Sequence, residues 1–161
     1  MKNHKRIILV GTGGAGKDYA RKKFADRGFK YAVSYTTRPP RVSEVDGKDY
    51  FFLTPEQAVK MIEFGEFYEW VEFNGWVYGT SVEQFENDDV FIMTPTGLSH
   101  LSPEDRATSL VIFFDIDEEV RRQRMLARSM PGDSVDRRLE ADRKDFENFT
   151  DYDVKITNCD F

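Results

Sequence analysis

Residues 6–26 read RIILVGTGGAGKDYARKKFAD, and their pattern decides the fold. Arg6–Val10 is a short apolar, β-branched run that ends in glycines, which predicts a buried strand feeding a turn. Gly11-Thr12-Gly13-Gly14-Ala15-Gly16-Lys17 has the Gly-x-x-x-x-Gly-Lys frame of a phosphate-binding loop. In such a loop the backbone amides cradle phosphates and the lysine reaches the outer ones. Asp18–Asp26, rich in Ala, Lys and Arg and stopped at Gly28, predicts the helix that must follow. Strand, glycine-rich loop and helix together supply the context the frame needs. One residue departs: a Ser or Thr hydroxyl normally follows the lysine and holds Mg²⁺, and here that residue is Asp18.

The rest of the chain predicts an α/β protein built on a parallel sheet. Tyr31–Tyr35, Val90–Thr94, Leu110–Phe114 and Asp153–Thr157 read as further strands. Thr54-Pro55-Glu56-Gln57 is a helix start, with Thr54 as N-cap, Pro55 at the first helical position and Gln57 closing a capping box. Phe67–Phe73 and Trp76–Tyr78, joined by Asn74-Gly75, predict a hairpin with a type I′ turn. Asp117 caps a basic helix through Arg128, and Asp136–Phe149 is helical. Strands alternating with helices give the parallel sheet, and the insert from about Ser34 to Thr80 forms a locally antiparallel lobe over it.

Composition narrows the function. With 161 residues, 40% of them apolar, one domain with a core is expected. A net charge of −6 argues against broad nucleic-acid binding, which needs a basic surface. Cys159 is the only cysteine, and the N-terminal apolar run of four residues is too short for a signal peptide or a membrane span. A cytoplasmic protein with no membrane or nucleic-acid partner is the expectation.

A second constellation follows the loop: residues 34–50 read SYTTRPPRVSEVDGKDY, residues 65–70 read GEFYEW, and residues 78–80 read YGT. Together these resemble the guanylate kinases, whose monophosphate lobe carries TTR-x-P-R-x-x-E-x-x-G-x-D-Y, then GEF-x-E and YG[ST]. The likeness runs from the first strand to Asn158. It implies a P-loop nucleoside-monophosphate-kinase fold with a core at 1–33 and 81–161, a monophosphate lobe at about 34–80 and a helical lid at about 124–138. It also implies phosphoryl transfer from Mg-ATP to GMP or dGMP.

The resemblance assigns roles that the chemistry supports. Arg38 and Arg41 offer guanidinium forks to a phosphate dianion, with Tyr50 and Tyr78 as neutral donors and Glu44 orienting an arginine. Glu69 can accept both adjacent N–H donors of guanine, with Ser34, Thr80 and Thr94 completing the acceptor pocket. Gly11, Gly13, Gly14, Ala15, Gly16, Lys17 and Asp18 form the donor site, and Asn158 is carried over beside the adenine. Arg124, Arg128 and Arg138 match the lid arginines, which with Lys17 and Arg38 surround the moving phosphoryl group. Arg121 and Arg122 read as a solvated helix face, and Trp70 and Trp76 as packing residues.

Three departures keep alternatives open. Asp18 is a hard oxygen donor that can ligate Mg²⁺ itself, and a related ribose 1,5-bisphosphokinase also carries Asp there. The family's Asp-x-Asp-x-Gln-Gly strand signature, aligned on Gly97, has become Ile92-Met93-Thr94-Pro95-Thr96-Gly97, without either acid. The chain stops at Phe161 before the family's terminal helix, so a face is expected to be exposed or used in a homodimer. The competing readings are a kinase for another phosphorylated small molecule, such as ribose 1,5-bisphosphate or another deoxynucleotide, and a non-catalytic guanylate-kinase-like binding module.

Overall fold

The structure is a computed structural model, which describes residues 4–128 and 134–161. Among these the chain runs β1 (Arg6–Gly11), α1 (Lys17–Asp26), β2 (Tyr35–Thr36), β3 (Phe51–Phe52), α2 (Pro55–Glu63), β4 (Phe67–Phe73), β5 (Trp76–Ser81), α3 (Val82–Asn87), β6 (Val90–Ile92), α4 (Pro95–Ser99), α5 (Pro103–Ala107), β7 (Ser109–Phe114), α6 (Glu118–Ala127), α7 (Val135–Asp145) and β8 (Val154–Ile156). The main sheet is parallel throughout, in the order β6-β1-β7-β8.

Its strands are apolar without alternation because helices cover both faces. Ile8 and Val10 of β1 point to a core with Phe91, Met93, Val111 and Leu98, whereas Leu9 points the other way, to Val90, Ile112, Phe114 and Ala20 of α1. That split within one strand is the two-residue side-chain period. Around Phe113 the rings of Phe146, Phe149 and Tyr152 gather within 5.1–5.5 Å. They fasten the chain beyond α7 to the sheet before it enters β8.

The second sheet, ordered β3-β2-β5-β4, is the small, mainly antiparallel one. It is antiparallel except for the β2–β3 pair, which is parallel. The β4–β5 turn has Asn74 at φ 55° and Gly75 at φ 85°, both left-handed, as a type I′ turn demands. The Thr54–Gln57 capping box forms as read, with both reciprocal hydrogen bonds.

One strand differs from expectation. Tyr31–Tyr35 is not continuous: Tyr31 makes only an isolated parallel bridge to Val90, and regular pairing resumes at Tyr35 in the other sheet. This is where the chain leaves the edge of the main sheet for the lobe, and the Val33 carbonyl is taken by the Gln84 side chain instead of a ladder partner. Several element boundaries also shift, as when the expected Asp136–Phe149 helix runs from Val135 to Asp145, four residues shorter at its end.

α6 and α7 flank the expected lid, of which residues 129–133 lie outside the described residues. Met125, Val135 and Leu139, all buried, form their own small core. Leu139 is fully buried whereas Leu126 on the same helix pair is half exposed. Leu139→Ala is expected to cost about 2–5 kcal/mol in a urea unfolding series, and Leu126→Ala about 0.5 kcal/mol or less.

Candidate active site

β1 delivers the chain directly into the phosphate loop, and α1 begins at its lysine. Gly16 is the α1 N-cap in the left-handed region, with φ 98°. A Cβ there would also lie 2.9 Å from the Phe161 ring, so both conformation and space require glycine. Lys17 Nζ donates to the Gly11 carbonyl. Burial lowers the Lys17 pKa, opposed first by Asp142 and then by Asp18. Asp18 lies in the first turn of α1 with an exposed carboxylate 3.2 Å from Arg21 Nη2.

Glu44 gathers Arg38 and the backbone of Arg41 around one carboxylate. Arg38 Nη1 and Nη2 donate to the two Glu44 oxygens at 2.8 and 2.9 Å, and the Arg41 amide donates to Glu44 Oε1 at 2.7 Å. Burial works against charge on both partners, but the paired bonds outweigh it: Arg38 is raised above the usual guanidinium value and Glu44 lowered below the usual carboxyl value. Glu44 therefore orients arginine rather than meeting an anion. Burial, then the neighbouring Tyr78, push the Tyr50 hydroxyl up to about 12, which keeps it a neutral donor. Asp46 and Asp49 are turn residues, accepting from the Phe52 and Val45 amides.

Glu69 sits at the lobe's inner face, 5% exposed. Its Oε1 accepts from the Thr80 hydroxyl at 2.9 Å, across the β4–β5 register that pairs the two residues. Burial pushes its pKa up to about 7, Thr80 partly offsetting the rise. A Cβ on Gly97 would lie 2.6 Å from Glu69 Oε2, so the carboxylate packs against bare backbone of α4. Thr94 is the N-cap of α4, its hydroxyl accepting from the Gly97 amide at 3.0 Å.

Two cavities meet here. One is lined by Ser34, Glu69, Ile92 and Thr94, and the other by Gly14, Ala15, Gly16, Asp18, Glu44, Arg124 and Arg128. Gly13, Lys17, Arg38, Arg41, Tyr50, Tyr78 and Arg138 line both. The shared wall is thus nearly all cationic or hydrogen-bond-donating, while the first cavity ends in a carboxylate. Gly11 also lines the first cavity, and Thr80 reaches it through Glu69. Arg128 has its charged form disfavoured by burial and then by Arg41, a crowding of cations that an anion would relieve.

Several sequence expectations change. Asn158 lines neither cavity; its Oδ1 accepts from the Asp160 amide in a local turn. Arg121 is not a solvated residue but 6% exposed, donating to the Ile116 carbonyl, whereas Arg122 is partly exposed and paired with Asp136. Arg124 spans the Gly14 and Cys159 carbonyls, both at 2.9 Å, and so ties the loop to the last residues of the chain. Trp76 lines the first cavity and Trp70 faces solvent, so neither is a core residue.

Sequence reasoning missed Asp142 and Asp145. Both line the first cavity, and Asp142 Oδ2 accepts from the Gly13 amide at 3.0 Å. Burial raises both pKa values, with Lys17 among the opposing charges. Their spacing from Arg138, four and seven residues along one helix, was the available signal, masked by a helix that reads as charged on every side.

A family model described as guanylate kinase matches residues 3–161. The chain belongs to the guanylate kinase family. It is 32% identical over 163 residues to a guanylate kinase of Geobacter metallireducens, covering 96% of this chain and 80% of that one. A guanylate kinase of Rubrobacter xylanophilus is 31% identical over 170 residues, covering 100% of this chain and 89% of that one. Among solved structures, guanylate kinase from Anaplasma phagocytophilum superposes with a TM-score of 0.74 at 22% identity, over 98% of this chain and 78% of that one. That superposition bears on the fold, which is the family's: a parallel sheet flanked by helices, with a mainly antiparallel lobe. No helix among the described residues is long and apolar enough to cross a membrane.

In this guanylate kinase family member the Glu69 carboxyl is expected to titrate near pH 7, read by ¹³C NMR of labelled glutamate. Gly97→Ala should drive the carboxylate out of its niche and bring that titration down toward the ordinary glutamate range of about 4.3. An unchanged midpoint in the variant would mean that the contact with Gly97 does not hold the side chain.

Proposed function

We infer that the protein transfers the γ-phosphoryl group of ATP to GMP or dGMP. The observation that carries this reading is the shared donor-rich wall, with the phosphate loop on one side and buried Glu69 at the end of the other cavity. In this reading Gly11 and Gly13–Lys17 hold the donor phosphates, and Arg38, Arg41, Tyr50 and Tyr78 hold the acceptor phosphate. Arg124 steadies the loop, while Arg128 and Arg138 come from a lid at about 124–138. The lobe at about 34–80 carries the acceptor, and the core is formed by 1–33 and 81–161.

The acceptor's own phosphate oxygen attacks the γ-phosphorus in line, and the β–γ bridging oxygen leaves with ADP. An ionised phosphate oxygen needs no general base, so the protein's part is to position both substrates and surround the migrating group with positive charge. Lys17, Arg38, Arg41 and Arg138 line both cavities and are placed to do this. Glu69 in its ionised form accepts two guanine donors, while Ser34, Thr80 and Thr94 complete the base end.

Kinases of this family generally use Mg-ATP. Among the described residues there is no cluster of three or more His, Cys, Asp or Glu side chains suited to a metal. That fits Mg²⁺, which is held by one or two carboxylates, phosphate oxygens and water rather than by an all-protein cage. Asp18, exposed in the donor cavity beside Lys17, is the residue we assign to it. When bound, the ion neutralises charge on the phosphates. A cytoplasmic setting suits this reading, where Cys159 would stay reduced.

Ile92 and Thr94, where the family's strand acids are absent, favour testing a second reading as a kinase for a different phosphorylated small molecule. Release of ADP measured across GMP, dGMP, AMP, CMP and ribose 1,5-bisphosphate decides between them. Turnover confined to guanine nucleotides is expected, and turnover confined to ribose 1,5-bisphosphate would overturn the reading. Nucleotide binding without any turnover would indicate a binding module.

Glu69→Gln should lower kcat/KM for GMP by roughly 10- to 100-fold, with KM for ATP little changed. The sign of the pH dependence follows from the raised pKa. Guanine needs the carboxylate, so affinity should climb through the Glu69 pKa of about 7 and level off about one unit above it. GMP's own phosphate ionises near pH 6 and affects wild type and Glu69→Gln alike, so the difference between their profiles isolates Glu69.

A further inference from the structure

Asp142 has no role in the transfer as derived above, yet it is among the most constrained side chains in the molecule. It is 6% exposed, and a carboxylate so buried must have its oxygens occupied. Oδ2 accepts from the Gly13 amide at 3.0 Å, and Arg121 Nη1 lies 3.7 Å away, in ion-pair but not hydrogen-bond range. Lys17 and Arg138 also act on it electrostatically.

The bond joins two parts 129 residues apart in sequence, the phosphate loop and α7. Asp142 follows Arg138 by four residues, so both lie on one face of α7. Gly13 lies beneath that face: a Cβ there would be 3.3 Å from Asp142 Oδ2, 3.7 Å from Arg138 Nη2 and 3.2 Å from Met125 Sδ. The neighbouring Gly14 is pressed against α6, where a Cβ would lie 3.0 Å from the Arg121 carbonyl. The loop is therefore gripped by the two helices that flank the lid.

We propose that Asp142 is a positioning residue: by accepting the Gly13 amide, its carboxylate fastens the phosphate loop to the helix that carries Arg138, so that loop and arginine meet the donor phosphates as one body. The hydrogen bond sets the loop, and the charge balances the cations that would otherwise repel one another around it. The inference rests on reading Gly11–Lys17 as the donor site.

The test uses the Gly13 amide in a ¹⁵N-glycine NMR spectrum, binding of a magnesium complex of a non-hydrolysable ATP analogue, GMP binding and kcat, for wild type, Asp142→Asn and Asp142→Ala. Asn keeps an acceptor of the same shape and removes only the charge. It should preserve the Gly13 signal and donor affinity within about threefold, whereas Ala should move the signal, weaken the analogue about tenfold or more and lower kcat. GMP affinity should stay within about twofold in both. Donor binding by Asp142→Ala equal to or tighter than wild type overturns the proposal, because the carboxylate would then only stand where phosphate goes. Equal loss of donor and GMP affinity overturns it too, since that is general disruption. Should the Ala variant not fold, the wild-type amide still decides: exchange with solvent as fast as an exposed loop amide would overturn the proposal. Neither the amide nor donor binding requires an acceptor, so a failure of the guanylate reading appears separately, as absent turnover by wild type.

Discussion

The glycine-rich loop from Gly11 to Lys17 must hold its lysine and its backbone amides in place with little side-chain bulk, and much of the molecule is arranged around that constraint. Burial works against the charge on Lys17, and Asp142, then Asp18, oppose that effect most strongly. The loop that carries the lysine is mostly glycine, so beyond the bond from Lys17 Nζ to the Gly11 carbonyl it has few side chains of its own to hold it. It is held instead from outside: Arg124 takes the Gly14 carbonyl, Asp142 takes the Gly13 amide, and Arg121 backs Gly14. These anchors all come from α6 and α7, which explains why those charged helices still bury Met125, Leu139 and Val135 between them.

The acceptor half solves the same problem in the opposite order. There Arg38 is fixed first, by its paired bonds to Glu44, and Glu69 is set apart from the arginines. Glu69 has Thr80 on one oxygen and bare Gly97 backbone beside the other. Its charged form is disfavoured by burial, which leaves it with unused capacity to accept donors. The two halves meet along a wall from which both cavities draw the same arginines and tyrosines. Charge is thus arranged before either substrate arrives, which is the form of preorganisation that phosphoryl transfer rewards.

Much of this was legible in the sequence because it depends on local rules. Gly16 and Lys17, the Thr54–Gln57 box and the Asn74-Gly75 turn are each dictated by backbone conformation over a few residues, and all formed as read. The spaced Arg38, Glu44, Glu69 and Tyr78 were legible through resemblance, and the structure brings them to one place. The reading failed where a residue's role depends on what lies across from it. Arg121 looked solvated because its helix is charged all round, yet its side chain is buried on the Ile116 carbonyl and its backbone packs against Gly14. Tyr31–Tyr35 has strand composition but sits where the chain changes sheets, so its partners are divided.

By itself the sequence determined the strand, glycine-rich loop and helix at the start of the chain, the order of the α/β elements and the hairpin lobe. These follow from period, turn chemistry and spacing, which act between near neighbours. Only the tertiary structure decided that Glu69 is buried against Gly97, that Arg124 ties the loop to Cys159, and that Asp142 is bonded to Gly13. Each of those contacts joins residues far apart in the chain. Burial and charge compensation are properties of the packed interior, and no local stretch of sequence carries them.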